Sequence, residues 1–468
     1  MRVRPRTTAW LIVVLLAIVV AGVLYWDRSS STPGPSLPAV IGDPPLWADQ
    51  ITTSPIGAAS VAYSSPSWYA DGQSGDLAIV GSATDSYRYG GSTVTGIPGQ
   101  SVLLSPDGTR LATATAVVNL QTGAITPYPE LPSTPPTNLR KSTLEIHPQV
   151  WSPDGHYLVL ARWLSSSGGV ISVPSLFRLD TRTGKVTKVA NLTRTDASFD
   201  GWIAAYSPDG TRLAVQAANT ITIYGKAGVV SQFPVPAQAR IAGKGAWTPN
   251  GKAIELAVPS KCTECYNDVT GAKYWLYPAT WQMYAVNSIT GDRQGPTYGI
   301  DDIITIRMLG WWPDGHPIVE GRYPSADGNA WRRMANPRFD PASSWVSANI
   351  IALSATAAPT VVLAPLKHTA QAIDVADNAI AGGTVRRGST PLLSNARVHV
   401  VSVVAIRIVI LAVIVLIGYV LYRLYGRRHP AAGVVTSPGE SDHPDGSGPD
   451  TAESTATESS SSERSPAP

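Results

Sequence analysis

The sequence predicts an all-β fold, a β-propeller of six to seven blades, with one transmembrane α-helix at each end. Three observations carry this prediction: a Pro-Asp-Gly turn that recurs between residues 37 and 390, an apolar segment before that region, and a second apolar segment after it. The chain has 468 residues, with 41 Gly and 39 Pro. This composition is typical of many short strands joined by turns.

The repeating unit is a turn of sequence Ser-Pro-Asp-Gly, or a close variant, followed by a strand-like run. Pro presets the φ of the turn, Asp or Asn bonds its own backbone, and Gly takes the open conformation. The third residues of the good copies are Asp107, Asp154, Asp209, Asn250 and Asp314, and degenerate copies lie at Asp71 and at residues 375–378. Most copies precede a second Gly turn, so one unit predicts two hairpins, the four strands of a blade.

The count of these copies gives seven blades, or six if one degenerate copy is false. The last unit has only its first hairpin before the second apolar segment begins, which would leave an open sheet edge. We therefore expect residues 37–41 and 49–55 to complete the last blade and close the ring. Closure of this kind brings both ends of the propeller to one place.

This turn-then-strand unit resembles the TolB-like, or PD40, branch of the WD40-like propellers. The resemblance covers about residues 37–390 and implies the propeller fold. For function it implies only that the chain serves in binding, in assembly or beside an enzyme, because a fold does not define a function. The sequence departs from the family in its two apolar terminal segments, and it lacks the hydrolase domain that some members carry.

The two apolar segments predict a two-pass protein of the cytoplasmic membrane. Residues 8–26 are uncharged and long enough to span a bilayer, and three arginines before them predict that residues 1–7 are cytoplasmic. The alternative is a cleaved signal peptide. Residues 398–422 form the second predicted helix, with three arginines on its C-terminal side. Both termini are then cytoplasmic and the propeller at 37–390 lies outside.

The remaining segments are two linkers and a tail. The linkers are residues 27–36 and 391–397, and residues 423–468 form an acidic, Ser/Thr-rich tail that has too few apolar residues to fold. Arg407 lies within the second apolar segment, where a charge is costly. It either extends toward the membrane surface or forms an ion pair with Asp27.

The sequence offers few candidates for chemistry. The turn aspartates are interpreted as structural, because each stands where a turn needs local backbone bonding. Cys262 and Cys265 predict a local disulfide in an insertion, since the region is expected outside the cytoplasm. Zinc is disfavoured because no further Cys and no paired His lie nearby. No catalytic residue, metal site or cofactor site is assigned.

The predicted function is therefore a membrane-tethered binding or scaffolding module for an envelope protein, a glycan or a small ligand. Its expected partners are membrane lipid, through the two helices, and a protein or glycan outside the cytoplasm. A net charge of +3 argues against a nucleic-acid surface. One alternative is a hydrolase or lyase with a site at the propeller axis, built from insertions such as residues 129–147 and 261–281. Another is a structural subunit of a membrane complex.

Overall fold

A computed structural model describes the propeller region of the chain. The described residues are 35–45, 48–65, 76–91, 93–131, 143–166, 169–170, 174–192, 203–260, 266–267, 274–275, 279–324, 345–366 and 370–391. The two predicted membrane helices and the tail lie outside these residues. Among the described residues, no helix combines the length and the apolar character that a membrane crossing requires.

Six antiparallel sheets, each with four main strands, form the six blades of a propeller. We number the blades 1 to 6 and give the strands of each from the axis outward. Blade 1 consists of Ala372–Val375, Ala59–Ser65, Asp76–Gly81 and Tyr87–Tyr89, and blade 2 of Leu103–Leu104, Arg110–Ala112, Ala116–Asn119 and Ile125–Pro127. Blade 3 consists of Thr143–Trp151, Tyr157–Ser166, Ser175–Asp180 and Val186–Asn191. Blade 4 consists of Ala204–Tyr206, Leu213–Ala217, Thr220–Gly225 and Gly228–Pro234, and blade 5 of Arg240–Ile241, Ala253–Ser260, Ala279–Asn287 and Arg293–Ile303. Blade 6 consists of Thr305–Trp311, Pro317–Pro324, Trp345–Ala352 and Thr360–Pro365.

A few short elements lie outside this four-strand plan. Val40–Ile41 adds to blade 6 as a fifth strand, parallel to its outermost strand. Leu37–Pro38 pairs in parallel with Val385–Arg386. The others are the strand Gly169–Val170 in blade 3, the ribbon of Tyr266–Asn267 with Tyr274–Trp275, and the helix Asp377–Ala381.

The ring closes through blade 1, which contains residues from both ends of the propeller. Its innermost strand, Ala372–Val375, comes from the C-terminal side and pairs antiparallel with Ala59–Ser65, which comes from the N-terminal side. N-terminal strands thus complete the last repeat, but they differ from the predicted ones. Residues 49–55 form turns apart from a bridge between Gln50 and Tyr89 of blade 1, and of residues 37–41 only Val40–Ile41 joins blade 6, as an extra outer strand.

The structure has six blades because one degenerate repeat is not a true copy. In the other blades the Pro-Asp-Gly turn joins the innermost strand to the second. Asp71 is outside the described residues, and its segment joins the second and third strands of blade 1 instead. Residues 375–378 occupy the expected position after an innermost strand. They lead into the helix Asp377–Ala381 rather than into the predicted hairpin.

The connections between strands divide into two faces of the ring. Within every blade, the turn after the innermost strand and the turn after the third strand emerge on one side, which we call the turn face. The remaining connections emerge on the opposite side, the loop face. The strands that flank the long connections, at residues 66–75, 90–102, 128–142, 192–203, 261–278 and 325–344, end and begin on the loop face.

The core lies between the blades, and this explains the burial pattern of the strands. The second strand of blade 4, Leu213–Ala217, is almost wholly buried because neighbouring blades cover both of its faces. The outermost strand of the same blade, Gly228–Pro234, is mostly exposed. Turn-face glycines adopt the left-handed backbone that the turns require, including Gly108 at φ +70° and Gly315 at φ +88°.

Two turn glycines allow a matched test of contact between blades. A Cβ at Gly108 would lie 2.1 Å from the carbonyl oxygen of Ala59 in blade 1, whereas a Cβ at Gly315 meets nothing within 4 Å. We expect Gly315→Ala to cost only the strain of the left-handed backbone, about 1–2 kcal/mol. Gly108→Ala should cost clearly more, because the backbones of two blades must separate. Urea unfolding of both variants checks this, and equal losses of stability would contradict it.

Candidate functional site: ring closure and buried charges

The turn residues singled out in the sequence lie in tightly hydrogen-bonded turns. In blade 4, the Ser207 hydroxyl donates to Asp209 at 2.6 Å and the backbone N–H of Thr211 donates to the same carboxylate at 3.1 Å. Led by the Ser207 bond, these contacts lower the pKa of Asp209 to about 2. The same backbone bond, from the residue two positions later, is accepted by Asp107, Asp154, Asn250 and Asp314.

Tryptophan and arginine side chains connect successive turns. The indole N–H of Trp151 in blade 3 donates to the carbonyl of Leu103 in blade 2 at 3.3 Å. Arg110 of blade 2 lies 4.9 Å from the Trp151 ring centroid and donates to the carbonyl of Gly155 at 2.7 Å. Blades 4 and 5 repeat this contact with Arg212 and Trp247. These residues therefore bind blades together.

A set of charged side chains, which we call the closure cluster, surrounds the innermost strand of blade 1. Its members are Lys244, Arg307, Glu320, Arg322, Asp374 and Asp377. Asp374 lies at its centre and is fully buried. One oxygen of this carboxylate lies 3.2 Å from Lys244 Nζ and 3.3 Å from an Arg307 nitrogen, and the other accepts the N–H of Leu104 at 2.8 Å. Asp374 thus contacts residues of blades 2, 5 and 6.

Lys244 reaches blade 1 because it lies in a bulge of blade 5. The N–H of Ala242 donates to the carbonyl of Glu255, and the N–H of Glu255 donates to the carbonyl of Ala246, so residues 243–245 loop out. Gly243 has φ +152°, and a Cβ there would lie 2.2 Å from the Met308 carbonyl of blade 6. Burial alone would lower the pKa of Lys244, but the nearby carboxylates more than compensate and the pKa is raised.

Glu320 connects the two arginines of the cluster to the closing strand. Its carboxylate accepts from Arg307 at 2.9 Å, from Arg322 at 3.1 Å and from the N–H of Ile373 at 2.7 Å. Arg322 also donates to the carbonyl of Pro98 at 3.1 Å. The closure cluster thus contains three cations and three carboxylates, all buried except the partly exposed Asp377. The charged side chains of the cluster are therefore paired with one another, and together they stabilise the closure of the ring.

A second set of contacts, the terminal clasp, holds the two ends of the propeller together. Arg386 is buried and pairs with Asp85 at 2.6 Å, and it donates to the carbonyl of Ser36 and to that of Gly81. The Tyr63 hydroxyl donates to the carbonyl of Gly42 at 2.6 Å. The clasp therefore joins the N-terminal segment, the C-terminal segment and blade 1.

Glu255, in the second strand of blade 5, is a buried carboxyl without an ion-pair partner. Its side chain is 2% exposed, and its Oε2 atom has no hydrogen-bond partner within the described part of the chain. Burial raises the pKa of Glu255 from 4.5 to about 8. The group is therefore protonated in the folded protein at neutral pH.

An exposed pair of titratable side chains lies on the innermost strand of blade 3, toward the loop face. His147 Nε2 lies 3.5 Å from a Glu145 oxygen, and the His147 ring packs on Trp163 with centroids 4.3 Å apart. Both side chains are partly exposed. Among the described residues, no group of three or more His, Cys, Asp or Glu side chains is arranged to hold a metal ion.

Neither the closure cluster nor the terminal clasp was predicted from the sequence. A signal for Lys244 was present, since Gly-Lys-Gly at residues 243–245 has no equivalent in the other repeats. Asp374 was concealed because it stands in an apolar strand beside a degenerate turn. The predicted disulfide of Cys262 and Cys265, and the predicted ion pair of Asp27 and Arg407, lie outside the described residues and stay predictions.

Comparison with known proteins yields similarities of fold alone. No protein-family profile and no curated protein matches the sequence. Among solved structures, TolB from Acinetobacter baumannii is 15% identical with a TM-score of 0.33, covering 66% of this chain and 67% of that one. An oligogalacturonate lyase in complex with manganese is 14% identical with a TM-score of 0.35, covering 61% and 72%. Porphyromonas gingivalis dipeptidyl peptidase 4 is 11% identical with a TM-score of 0.31, covering 62% and 42%.

Similarities this weak add nothing to the assignment of a function. The class of protein is defined by the strand pairing of this chain: a six-bladed β-propeller whose first blade is completed by a C-terminal strand. What distinguishes this propeller from a plain repeat is its buried closure cluster and the clasp between its two ends.

The closure cluster predicts a large loss of stability when its central carboxylate is replaced. Asp374→Asn should reduce the free energy of unfolding by about 3–5 kcal/mol, because two buried cations lose their shared anion. Asp209→Asn is the matched control, since Asn250 already occupies the equivalent turn position in blade 5. Urea unfolding followed by Trp fluorescence measures both. A loss no larger in Asp374→Asn than in the control would contradict this role.

Glu255 predicts a pH dependence of stability. Between pH 4.5 and 8 the folded protein holds a proton that the unfolded chain releases, so the free energy of unfolding should fall as pH rises. The slope is at most about 1.4 kcal/mol per pH unit, and it vanishes above pH 8. Glu255→Gln should remove this slope, whereas Glu130→Gln, at an exposed position, should keep it. Parallel profiles for Glu255→Gln and the unmodified chain would refute the assignment.

Proposed function

We propose that this chain is a membrane-tethered propeller that binds a protein or glycan outside the cytoplasm through its loop face. The observation that carries this proposal is the asymmetry of the two faces. The turn face consists mostly of short, internally bonded turns, whereas the five longest connections within and between the four-strand blades, at residues 90–102, 128–142, 192–203, 261–278 and 325–344, begin and end on the loop face. Connections of variable length on a rigid scaffold are where binding residues concentrate.

The position of the chain ends supports the membrane part of the proposal. The pairing of Leu37 with Val385 and the bridge between Ile41 and Ser389 place the two ends of the propeller side by side. Two membrane helices that begin at the same edge of the ring can enter one bilayer without spanning the ring. The sequence pattern of residues 8–26 and 398–422 supplies the helices.

A catalytic role is the second candidate, and the Glu145–His147 pair is the observation that favours it. A partly exposed His beside a carboxylate is the minimum arrangement for a general base. We rank binding above it because the other ionised groups near the axis, those of the closure cluster, are paired with one another. A hydrolase or lyase needs further groups aimed at a substrate.

Photo-crosslinking on the two faces tests the binding role. Leu144 stands at the loop-face end of blade 3 and is 48% exposed, and Ile289 stands in a turn-face loop of blade 5 and is 54% exposed. With a photoreactive residue at each site in cells that make the full chain, we expect discrete adducts from position 144 and few from 289. Equal yields from both, or no adduct at 144 above the unirradiated control, would overturn the proposal.

Cysteine labelling tests the orientation in the membrane. In a Cys262→Ser, Cys265→Ser background, a membrane-impermeant maleimide should react with Ile289→Cys in intact cells. It should react with Ser437→Cys, in the predicted cytoplasmic tail, only after permeabilisation. The reverse pattern would place the propeller inside and overturn the proposed binding of a partner outside the cytoplasm.

A further inference from the structure

We propose that the outer edge of blade 6, where the two chain ends meet, lies against the lipid headgroups, so that the ring stands edge-on to the membrane. This inference rests on the proposed two-helix tether and specifies which surface the bilayer contacts. We call this surface the seam edge and define it as residues 353–365, 35–41 and 384–389. It combines the outermost strand of blade 6 with the two terminal segments.

The strand pairing shows how the seam edge is built. The N-H of Ala364 donates to the carbonyl of Ala39 at 3.0 Å, so the N-terminal segment lies beside the outermost strand of blade 6. On its other side, the N–H of Ala39 donates to the carbonyl of Arg386 at 2.7 Å. The N-terminal segment is therefore sandwiched between blade 6 and the C-terminal segment, and all three run parallel.

This parallel arrangement sends the two chain ends to opposite corners of the same edge. The outermost strand of blade 6 runs from the turn face to the loop face, because it follows the turn after the third strand. The N-terminal segment consequently enters at the turn face, where Pro35 lies next to Gly382. The C-terminal segment leaves toward the loop face, where Thr390 lies against Gly42. If the ring stands edge-on, both corners lie at the membrane, whereas a ring that lies on either face brings only one corner to it.

The length of chain between the propeller and the predicted helices keeps the seam edge near the bilayer. From Trp26 to Pro35 an extended chain spans at most about 30 Å, and from Pro391 to Val398 at most about 25 Å. If either face lay on the membrane, one of these linkers would also have to run along the height of the blade. The linkers therefore favour contact through the edge.

The chemistry of the seam edge fits a lipid surface. Residues 353–365 and 35–41 contain no Asp, Glu, Lys, Arg or His, and residues 384–389 contain two arginines, of which Arg386 is buried against Asp85. Two exposed valines lie on it, Val361 at 49% and Val385 at 46%, and the exposed Arg387 lies beside them. An uncharged surface loses little hydration on approach to headgroups, and an arginine at its border can bind lipid phosphate.

Some other outer edges of the ring are charged. The outermost strand of blade 3 carries Lys188, and that of blade 5 carries Arg293 and Asp301, and such charges are a common protection of a sheet edge exposed to water. The outermost strand of blade 4, Gly228–Pro234, is uncharged like that of blade 6. What sets the seam edge apart is therefore its position beside both chain ends, and blade 4 supplies an edge of similar composition without that position.

A pair of matched positions tests this inference. Val361 in blade 6 is 49% exposed and Val230 in blade 4, two blades away around the ring, is 50% exposed. We would place a single cysteine at either site in the Cys262→Ser, Cys265→Ser background and attach an environment-sensitive fluorophore. The full chain is reconstituted in phosphatidylcholine–phosphatidylglycerol vesicles, with and without headgroup-quencher lipid. We expect the quencher to reduce emission at position 361 by at least twofold and to leave position 230 unchanged.

The outcomes separate this inference from the tether on which it rests. If the chain floats with the vesicles but the quencher does not affect position 361, or affects both positions alike, the edge-on contact is wrong and the tether stands. If the chain does not float with the vesicles, the tether itself fails. If position 361 is protected only when a second copy of the chain or another protein is present, the edge is a protein interface and the inference is overturned.

Discussion

The structure depends on one pairing, between Ala372–Val375 and Ala59–Ser65. A propeller without this pairing is an open arc whose first blade lacks its innermost strand and whose terminal edges face water. The antiparallel ladder closes the arc, and Asp374 within it binds groups of three other blades. One carboxylate therefore joins the hydrogen bonding of the sheet to the packing around the axis.

The closure cluster also shows how a buried charge is tolerated here. Each cation faces a carboxylate within about 3 Å, and backbone N–H groups occupy further oxygens. Removing one partner from such a network is costly, although a well-packed apolar replacement of the whole network can be as stable. Glu255 offers the contrast, since no counter-ion faces it among the residues that the structure describes and burial raises its pKa to about 8.

The sequence was sufficient for the fold class and insufficient for its closure. Each Pro-Asp-Gly turn is a local signal, because its hydrogen bonds join residues two to five positions apart, as at Asp107 and Asp209. The partner of Ala372–Val375 is set by packing across the whole ring, and no local pattern specifies it. Asp71 matched the turn motif in its sequence but not in its place within the blade. The bulge at Lys244 became interpretable only from its close approach to Met308 of blade 6.

The candidate site, like the fold, was predictable from the sequence only in part. The turn residues were predictable as structural elements, since the chemistry of a turn is contained in its own four residues. Glu145 and His147 share a face because they lie two positions apart on one strand, but the packing of His147 on Trp163 depends on the pairing of two strands and could not be predicted from the sequence. Function at the loop face is therefore a question of three-dimensional placement, which the repeat does not encode.

The composition of blade 1 has a consequence for how the protein is made. A ribosome releases residues 59–89 early and residues 372–375 only after five further blades have been synthesised. The outer three strands of blade 1 must therefore wait, with an unoccupied inner position, while the rest of the ring accumulates beside them. A chain that stalls before residue 372 would be an unsealed arc, open to chaperones and proteases, so completion of the ring reports that translation has passed the last repeat.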